Sequence, residues 1–432
     1  MEVGWRSGLW FLWCMSFRPH VPWIASIILG LSAVVEGAAK FEITEFGAVA
    51  DGRTLNTEAI AKAIDAAATG GGEVVIPAGV FLSGSIFLKP GVSLRLEKDA
   101  VLLGSNRIDD YPKRKTRIEG HFPEWRMALV NAQNMDKVRI HGEGKIDGNG
   151  ILFWAQFWQR RKENPKCTNL EVERPRLMFI DRCKDVEIKG LTFRDSGFWN
   201  LHLYNCDGVL VEGLDISAPT QGHILGPSTD GIDVDSSRNV TIRKCRISVN
   251  DDNIALKGSK GPLADKDTDS PPVENILVED CVIGDGNGLI TCGSEATLIR
   301  NVTVRNCRIT GNATLLTLKL RPDTPQHYEK ILMENIELAG TGRLLNVAPW
   351  KQFFDLKGHA PPSRRVNDIT LRNITGHFGS MGTLRGNPGD VIENFTLENI
   401  NVKLANDSTE SVDLGRLKIL NSRVNGSPLG RD

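Results

Sequence analysis

The chain has 432 residues, 41% hydrophobic and 24% charged, with 43 glycines and 3 tyrosines, a balance that excludes a disordered polymer and leaves room for a large core. Lysine plus arginine number 52 against 53 for aspartate plus glutamate, so no global field marks a nucleic-acid binder, and an anionic partner must be read locally. The eight cysteines include Cys14 in the N-terminal stretch; loss of that stretch leaves seven, an odd number that excludes a dense disulfide framework.

From the N-terminus, Arg18 and His20 precede an apolar run, Val21 to Val35, that ends in the small residues Gly37, Ala38 and Ala39. This reads as an export segment over 1–39, too short and too poorly flanked for a stable membrane span, with one domain over 40–432. The mature protein is then expected to be secreted, extracellular or periplasmic, and monomeric. Next, the stretch Phe41 to Ser105 holds a helix: Asn56 is placed to cap it, Ala59, Ile60, Ala63, Ile64 and Ala67 repeat at helical spacing, and Gly70-Gly71-Gly72 stops it. Such a helix suits the lid of a solenoid end, where core and strand edges would otherwise be open. The tryptophans and prolines between Pro112 and Pro175 predict a long excursion, and hence a groove wall.

From Val138 onward a pattern x-apolar-x-apolar recurs, its first apolar residues being Val138, Val186, Val209, Val240, Ile276, Val302, Ile331, Ile369, Phe395 and Leu417. The shortest steps are 22 (417−395) and 23 (209−186) residues. Each unit reads as a strand, a polar turn and a second short strand, as in Asn239 to Ile247, and cannot bury its apolar face without a neighbour. The predicted class is all-β, a single-stranded parallel β-helix with a short N-terminal capping helix. Five residues after the marker stand Leu191, Leu214, Cys245, Cys281, Cys307, Ile336, Ile374 and Ile400, so three cysteines are interior ladder residues rather than metal or redox ligands. Asn239, Asn275, Asn301 and Asn394 directly precede the marker, where stacked amides satisfy one another; three of these open N-x-T sequons, but ladder amides are expected to be inaccessible.

One region breaks the pattern: Ser228-Thr229-Asp230-Gly231-Ile232-Asp233, then Asn250-Asp251-Asp252-Asn253. The 21-residue separation (251−230) is nearly one coil, which sets Asp230 beside Asp251 and Asp252 on one outer face. Carboxylates this close repel, so one keeps its proton while another stays ionised, which is what acid and base hydrolysis of a glycoside needs. Asp185, Asp233 and Asp235 read instead as turn residues. A calcium site is the rival reading of the cluster. Gly258 to Pro272 reads as a loop interrupting the coil beside it, and Lys257 and Lys260 are placed to attract an anionic chain.

These motifs resemble glycoside hydrolase family 28, the polygalacturonases and rhamnogalacturonan hydrolases, over almost the whole mature length. Phe46 to Gly52 with Pro77-Ala78-Gly79, and Gly144 to Gly150, resemble landmarks shared with related β-helix proteins. Ser228-Thr229-Asp230 resembles the family's Asn-Thr-Asp, and Asp251-Asp252 its paired aspartates. The resemblance implies a right-handed helix, a general acid at Asp251, water held and deprotonated by Asp230 and Asp252, inversion, no metal or cofactor, and an acidic plant-type polysaccharide as partner. Gly286-Asn287-Gly288 stands where the family has Gly-His-Gly, and Thr317-Leu318-Lys319 where it has Arg-Ile-Lys. Asn287, Lys319, Arg321, Lys257 and His223 are the candidate substrate contacts, with His223 or His202 as substitutes for the missing ring. The gaps at Asn287 and Thr317 raise an alternative, cleavage between galacturonic acid and rhamnose. A binding solenoid without catalysis and a calcium-dependent lyase are the readings from other classes.

Overall fold

The residues that mark the repeat in the sequence stand side by side in space. Val138 pairs in parallel with Val186, Val186 with Val209, Val209 with Val240, Val240 with Ile276, and so on through Val302, Ile331, Ile369 and Phe395 to Leu417. This is the register of a computed structural model that describes Met1 and residues 39–219, 224–408 and 411–430. Ala38–Asp432 form one compact unit. The stretch expected to be an export segment, apart from Met1 and Ala39, and His223 lie outside the described residues. Among the described residues no helix is long and apolar enough to cross a membrane.

The architecture is a right-handed parallel β-helix. Each coil gives one strand to each of three parallel stacks. Lys184–Lys189, Thr192–Arg194 and Leu201–Tyr204 pair respectively with Asp207–Glu212, Asp215–Ala218 and Ile232–Asp235 of the next coil. Strand alternation turns every second residue inward, so Val186, Ile188, Phe193, Leu201 and Leu203 are buried in one continuous core that runs from Ile43 to Val424. Each such side chain covered by the next coil contributes roughly 1.5–3 kcal/mol, a gain no single coil can reach alone.

The turns between stacks explain the asparagines. Asn239, Asn275 and Asn301 have φ of 56°, 59° and 57°, a left-handed conformation that asparagine tolerates. Their amides form a ladder, Asn275 Nδ2 donating to Asn239 Oδ1 at 3.0 Å and Asn301 Nδ2 to Asn275 Oδ1 at 3.2 Å. The ladder is exposed, contrary to the expectation of inaccessible amides, because the left-handed turn points these side chains outward. The Cys245, Cys281 and Cys307 column is interior as predicted, and all seven described cysteines are free and buried.

The predicted lid is α1, Thr57–Ala68, which buries Ile60, Ala63, Ile64 and Ala67 over the first coil. Asn56 does not cap it. Its side chain instead ties Val49, Thr54 and Leu82 to the helix entry through their carbonyls. The excursion after Ser105 contains a second helix, α2, Ile151–Glu163, which burial of Phe153, Trp154 and Phe157 fastens to the solenoid. Arg117 of the same excursion is fully buried and forks onto Asp235, Nε to Oδ2 at 2.9 Å and Nη2 to Oδ1 at 3.2 Å. Asp233 and Asp235 are buried strand residues, Asp235 against this wall, rather than turn residues; Asp185, at φ 52°, likewise lies within a strand, Lys184–Lys189.

Candidate active site

The site is built by the turn that enters the third stack. Asp230 lies two residues before Ile232 and Asp252 two before Ile254, and Ile232 pairs with Ile254. Asn200 N donates to Asp230 O at 2.9 Å, and Gly231 N to Asp252 O at 2.8 Å, so backbone stacking fixes Asp230 directly beside Asp252, with Asp251 one residue away. One oxygen from each of the three carboxyls lies within 4.8 Å of the others. Rather than standing on an open face, Asp230 and Asp252 are buried at the floor of a cleft of about 1010 Å³.

The three carboxyls have different partners. Asp252 Oδ2 accepts from Lys319 Nζ at 2.6 Å, and its Oδ1 from Thr291 Oγ1 at 2.9 Å. Lys257 Nζ stands 3.2 Å from Asp230 Oδ2 and 3.5 Å from Asp233 Oδ1. Burial pushes Asp230 above the usual carboxylate range, with Lys257 opposing. Asp251 keeps some surface open to the cleft although protein atoms crowd it; burial, then repulsion from Asp230 and Asp252, raises its carboxyl to about 7. Its Oδ1 accepts from Asn287 Nδ2 at 2.8 Å. Behind them, burial and the neighbouring Asp230 hold Asp233 well above the carboxylate range. Both lysines stay charged despite burial, because Asp230 and Asp233 face Lys257, and Asp252 and Asp251 face Lys319.

The cluster is thus a set of carboxyls already partnered by two ammonium groups. A calcium ion would have to displace or oppose both charges, so the donor set fits a divalent cation poorly. What the arrangement offers instead is one carboxyl poised to give a proton near neutrality, beside two that are held by cations.

Of the predicted contacts, Asn287, Lys257, Lys319 and Arg321 all line the cleft. Only Asn287 is exposed. Lys257 and Lys319 are spent on the aspartates, each also over an aromatic ring, Trp199 at 4.8 Å and Trp350 at 5.2 Å. Arg321 is buried and forked onto Asp323 by Nε and Nη2, both at 2.9 Å. His202 does not face the cleft: it is fully buried, 3.4 Å from Asp235, and burial lowers its ring to about 3, a structural histidine. Lys260, from the loop between Ile254–Lys257 and Val273–Glu279, lies near Glu119 and Glu295 at 3.6 and 3.9 Å. Trp158, one of the tryptophans read as a groove wall, lines the cleft; Glu295, Phe157, Trp199, Trp350 and Arg343 line it without having been singled out from sequence.

Residues 68–416 match the model of glycosyl hydrolases family 28. The chain belongs to that family. Family 28 relatives include a probable polygalacturonase of Vitis vinifera, 33% identical over 53% of this chain and 46% of that one, so the chain spans about half of this relative's length. An exopolygalacturonase of Zea mays is 25% identical over 78% of this chain and 76% of that one. Among solved structures, the hyperthermoactive exopolygalacturonase of Thermotoga maritima superposes with a TM-score of 0.69 at 22% identity, covering 91% of this chain and 94% of that one, which supports the fold. Asn287, which the motif resemblance aligns with the family's Gly-His-Gly, hydrogen-bonds Asp251. Gly286 next to it has φ 146°, and a Cβ there would collide with the Asn253 side chain and lie 2.8 Å from the Asp251 carbonyl oxygen. Thr317 is buried and donates to the Asn287 carbonyl at 3.2 Å.

Proposed function

We propose that this protein is an exported inverting glycoside hydrolase that cleaves galacturonosyl bonds in a pectin-type polysaccharide. The observation that carries the reading is the division of labour within 4.8 Å: Asp251, raised to about 7, beside Asp230 and Asp252, each held by a lysine. Asp251 gives its proton to the glycosidic oxygen as the bond from that oxygen to the anomeric carbon breaks. Asp230 and Asp252 orient a water, which forms the new bond to carbon and releases its proton to one of them. The family membership and the polygalacturonase names of its relatives support galacturonic acid as the sugar.

Inverting enzymes ordinarily separate their carboxyls by roughly 6.5–9.5 Å, and this cluster is tighter. We nevertheless favour inversion, because the two alternatives for a nucleophile, Asp230 and Asp252, are buried and tied to Lys257 and Lys319, a poor placement for direct attack on carbon.

The deciding experiment is NMR of products from the protein and from Asp251→Asn, incubated with polygalacturonan and rhamnogalacturonan in a chelating buffer. Saturated, inverted products from polygalacturonan, absent with the variant, are expected. Retained anomers would overturn inversion, an unsaturated product that needs calcium would indicate a lyase, and no product from either polymer would leave a binding solenoid. Product from rhamnogalacturonan alone would select the rhamnose linkage.

A further inference from the structure

The cleft is electrostatically lopsided. Its lining carboxylates are Glu119, Asp230, Asp251, Asp252 and Glu295; beyond Glu295 no acidic residue lines it among the described residues. That far half carries three cations, and two of them are committed, Lys319 to Asp252 and Arg321 to Asp323. The third, Arg343, is exposed, and its guanidinium has no hydrogen bond or ion pair among the described residues.

Its position follows from the register. Ile254, Ile290, Leu316 and Leu345 pair in succession, and Asp252, Gly288, Thr314 and Arg343 each stand two residues before them. The backbone bonds repeat along this row: Asn253 N to Gly288 O at 3.0 Å, Leu289 N to Thr314 O at 2.7 Å, Leu315 N to Arg343 O at 2.9 Å. Arg343 therefore stands three strand spacings, roughly 14 Å, from Asp252 along the floor of the same cleft. The intervening positions carry no side chain at Gly288 and a short one at Thr314. Asn346, Ser380 and Asn406 line the cleft around it and supply neutral hydrogen-bonding groups suited to sugar hydroxyls.

From this geometry we infer that Arg343 is a specificity residue: it clamps the carboxylate of a uronic acid unit that does not border the scissile bond. The inference rests on the function proposed above and adds to it. Anionic recognition in this chain sits at a distance from the reacting sugars, because the cations beside the aspartates are used to hold those aspartates. A guanidinium without an internal partner is free to bind a carboxylate in a bidentate fork, whereas Lys319 would first have to leave Asp252.

The test measures binding apart from catalysis. Calorimetry would compare Asp251→Asn with the double variants Asp251→Asn/Arg343→Ala and Asp251→Asn/Arg343→Lys, using oligogalacturonates of two to six sugars (about the span of the cleft) and the same oligomers fully methyl-esterified. The alanine change is expected to weaken the longer anionic oligomers by roughly tenfold or more, to leave the shortest unchanged, and to have no effect on the esters; lysine should restore part of the loss. Equal affinities for Arg and Ala, a loss independent of length or shared by the esters, or no binding of anionic oligomers by the Asp251→Asn parent would each overturn the inference. If the parent binds and Arg343 matters, but wild type hydrolyses nothing, the proposed function falls and this assignment stands. Melting curves of the variants separate the effect from misfolding.

Discussion

Asn287 donates from Nδ2 to Oδ1 of Asp251 at 2.8 Å, so the group that touches the raised carboxyl is a neutral amide. A neutral donor favours the ionised carboxylate, but adds no charge that titrates with pH.

The first expectation concerns pH. A general acid must be protonated, so kcat/KM should fall as pH rises through about 7, the level to which burial and the two neighbouring aspartates raise Asp251. Asn287→Ala removes a bond that favours the charged form, and the alkaline limb should move up by about half a unit or more while kcat declines. A pH–rate profile of both proteins checks this; a limb that stays in place would detach Asn287 from the acid.

Replacing Asp230, Asp251 or Asp252 singly with asparagine should lower kcat by about 10²–10⁴. Asp251→Asn should at the same time stabilise the fold. Its folded carboxyl is raised from 3.8 to about 7, so the native state binds more protons than the unfolded one across that window and stability falls as pH rises through it. The wild type carries the whole penalty at pH 8, and the variant's melting temperature there should exceed it; an equal or lower value would argue against a strained acid.

Asp233 provides a contrast within the same cluster. Burial and Asp230 push its carboxyl well above the usual range, so Asp233→Asn puts a neutral isostere where the site disfavours a second charge. Activity within about threefold of wild type is expected, since Asp230 still faces Lys257 at 3.2 Å. A thousandfold loss in steady-state assays would mean that Asp233 acts as a carboxylate.

The Arg117 fork onto Asp235 fastens the excursion to the solenoid behind the site, with both side chains fully buried. Arg117→Ala strands the Asp235 charge and should cost about 3–5 kcal/mol, read from the shift in the denaturant midpoint at unchanged slope. A shift under about 1 kcal/mol would show that water or Arg176 takes over the partner role.

The solenoid was legible because its signal repeats: each apolar marker from Val138 to Leu417 found the partner that its phase predicts. The aspartate cluster was legible for the same reason, a near-coil separation being enough to stack Asp230 on Asp252. What the sequence hid were interactions with no period. Arg117 meets Asp235 across 118 residues, so Asp235 looked like a turn aspartate. The helix Ile151–Glu163 was read only as a wall: Phe153, Trp154, Phe157 and Trp158 stand at helical spacing, but Ile151 and Leu152 add apolar residues that stay exposed and blur the stripe. Lys257 looked like a free surface cation until the fold buried it between two carboxylates. Arg343 gave no signal at all, since its meaning lies in having no hydrogen-bond or ion-pair partner among the described residues while its neighbours Lys319 and Arg321 do.

The stacked coil also sets the grain of possible change in this molecule. Positions along the cleft floor are quantised: Asp252 and Arg343 differ by whole coils, and no side-chain swap can slide one relative to the other by a fraction of a step. Selectivity for longer or shorter glycans is then expected to shift by gain or loss of an entire coil between them, or by trading residues within a row, while the hydrolytic centre itself stays in place.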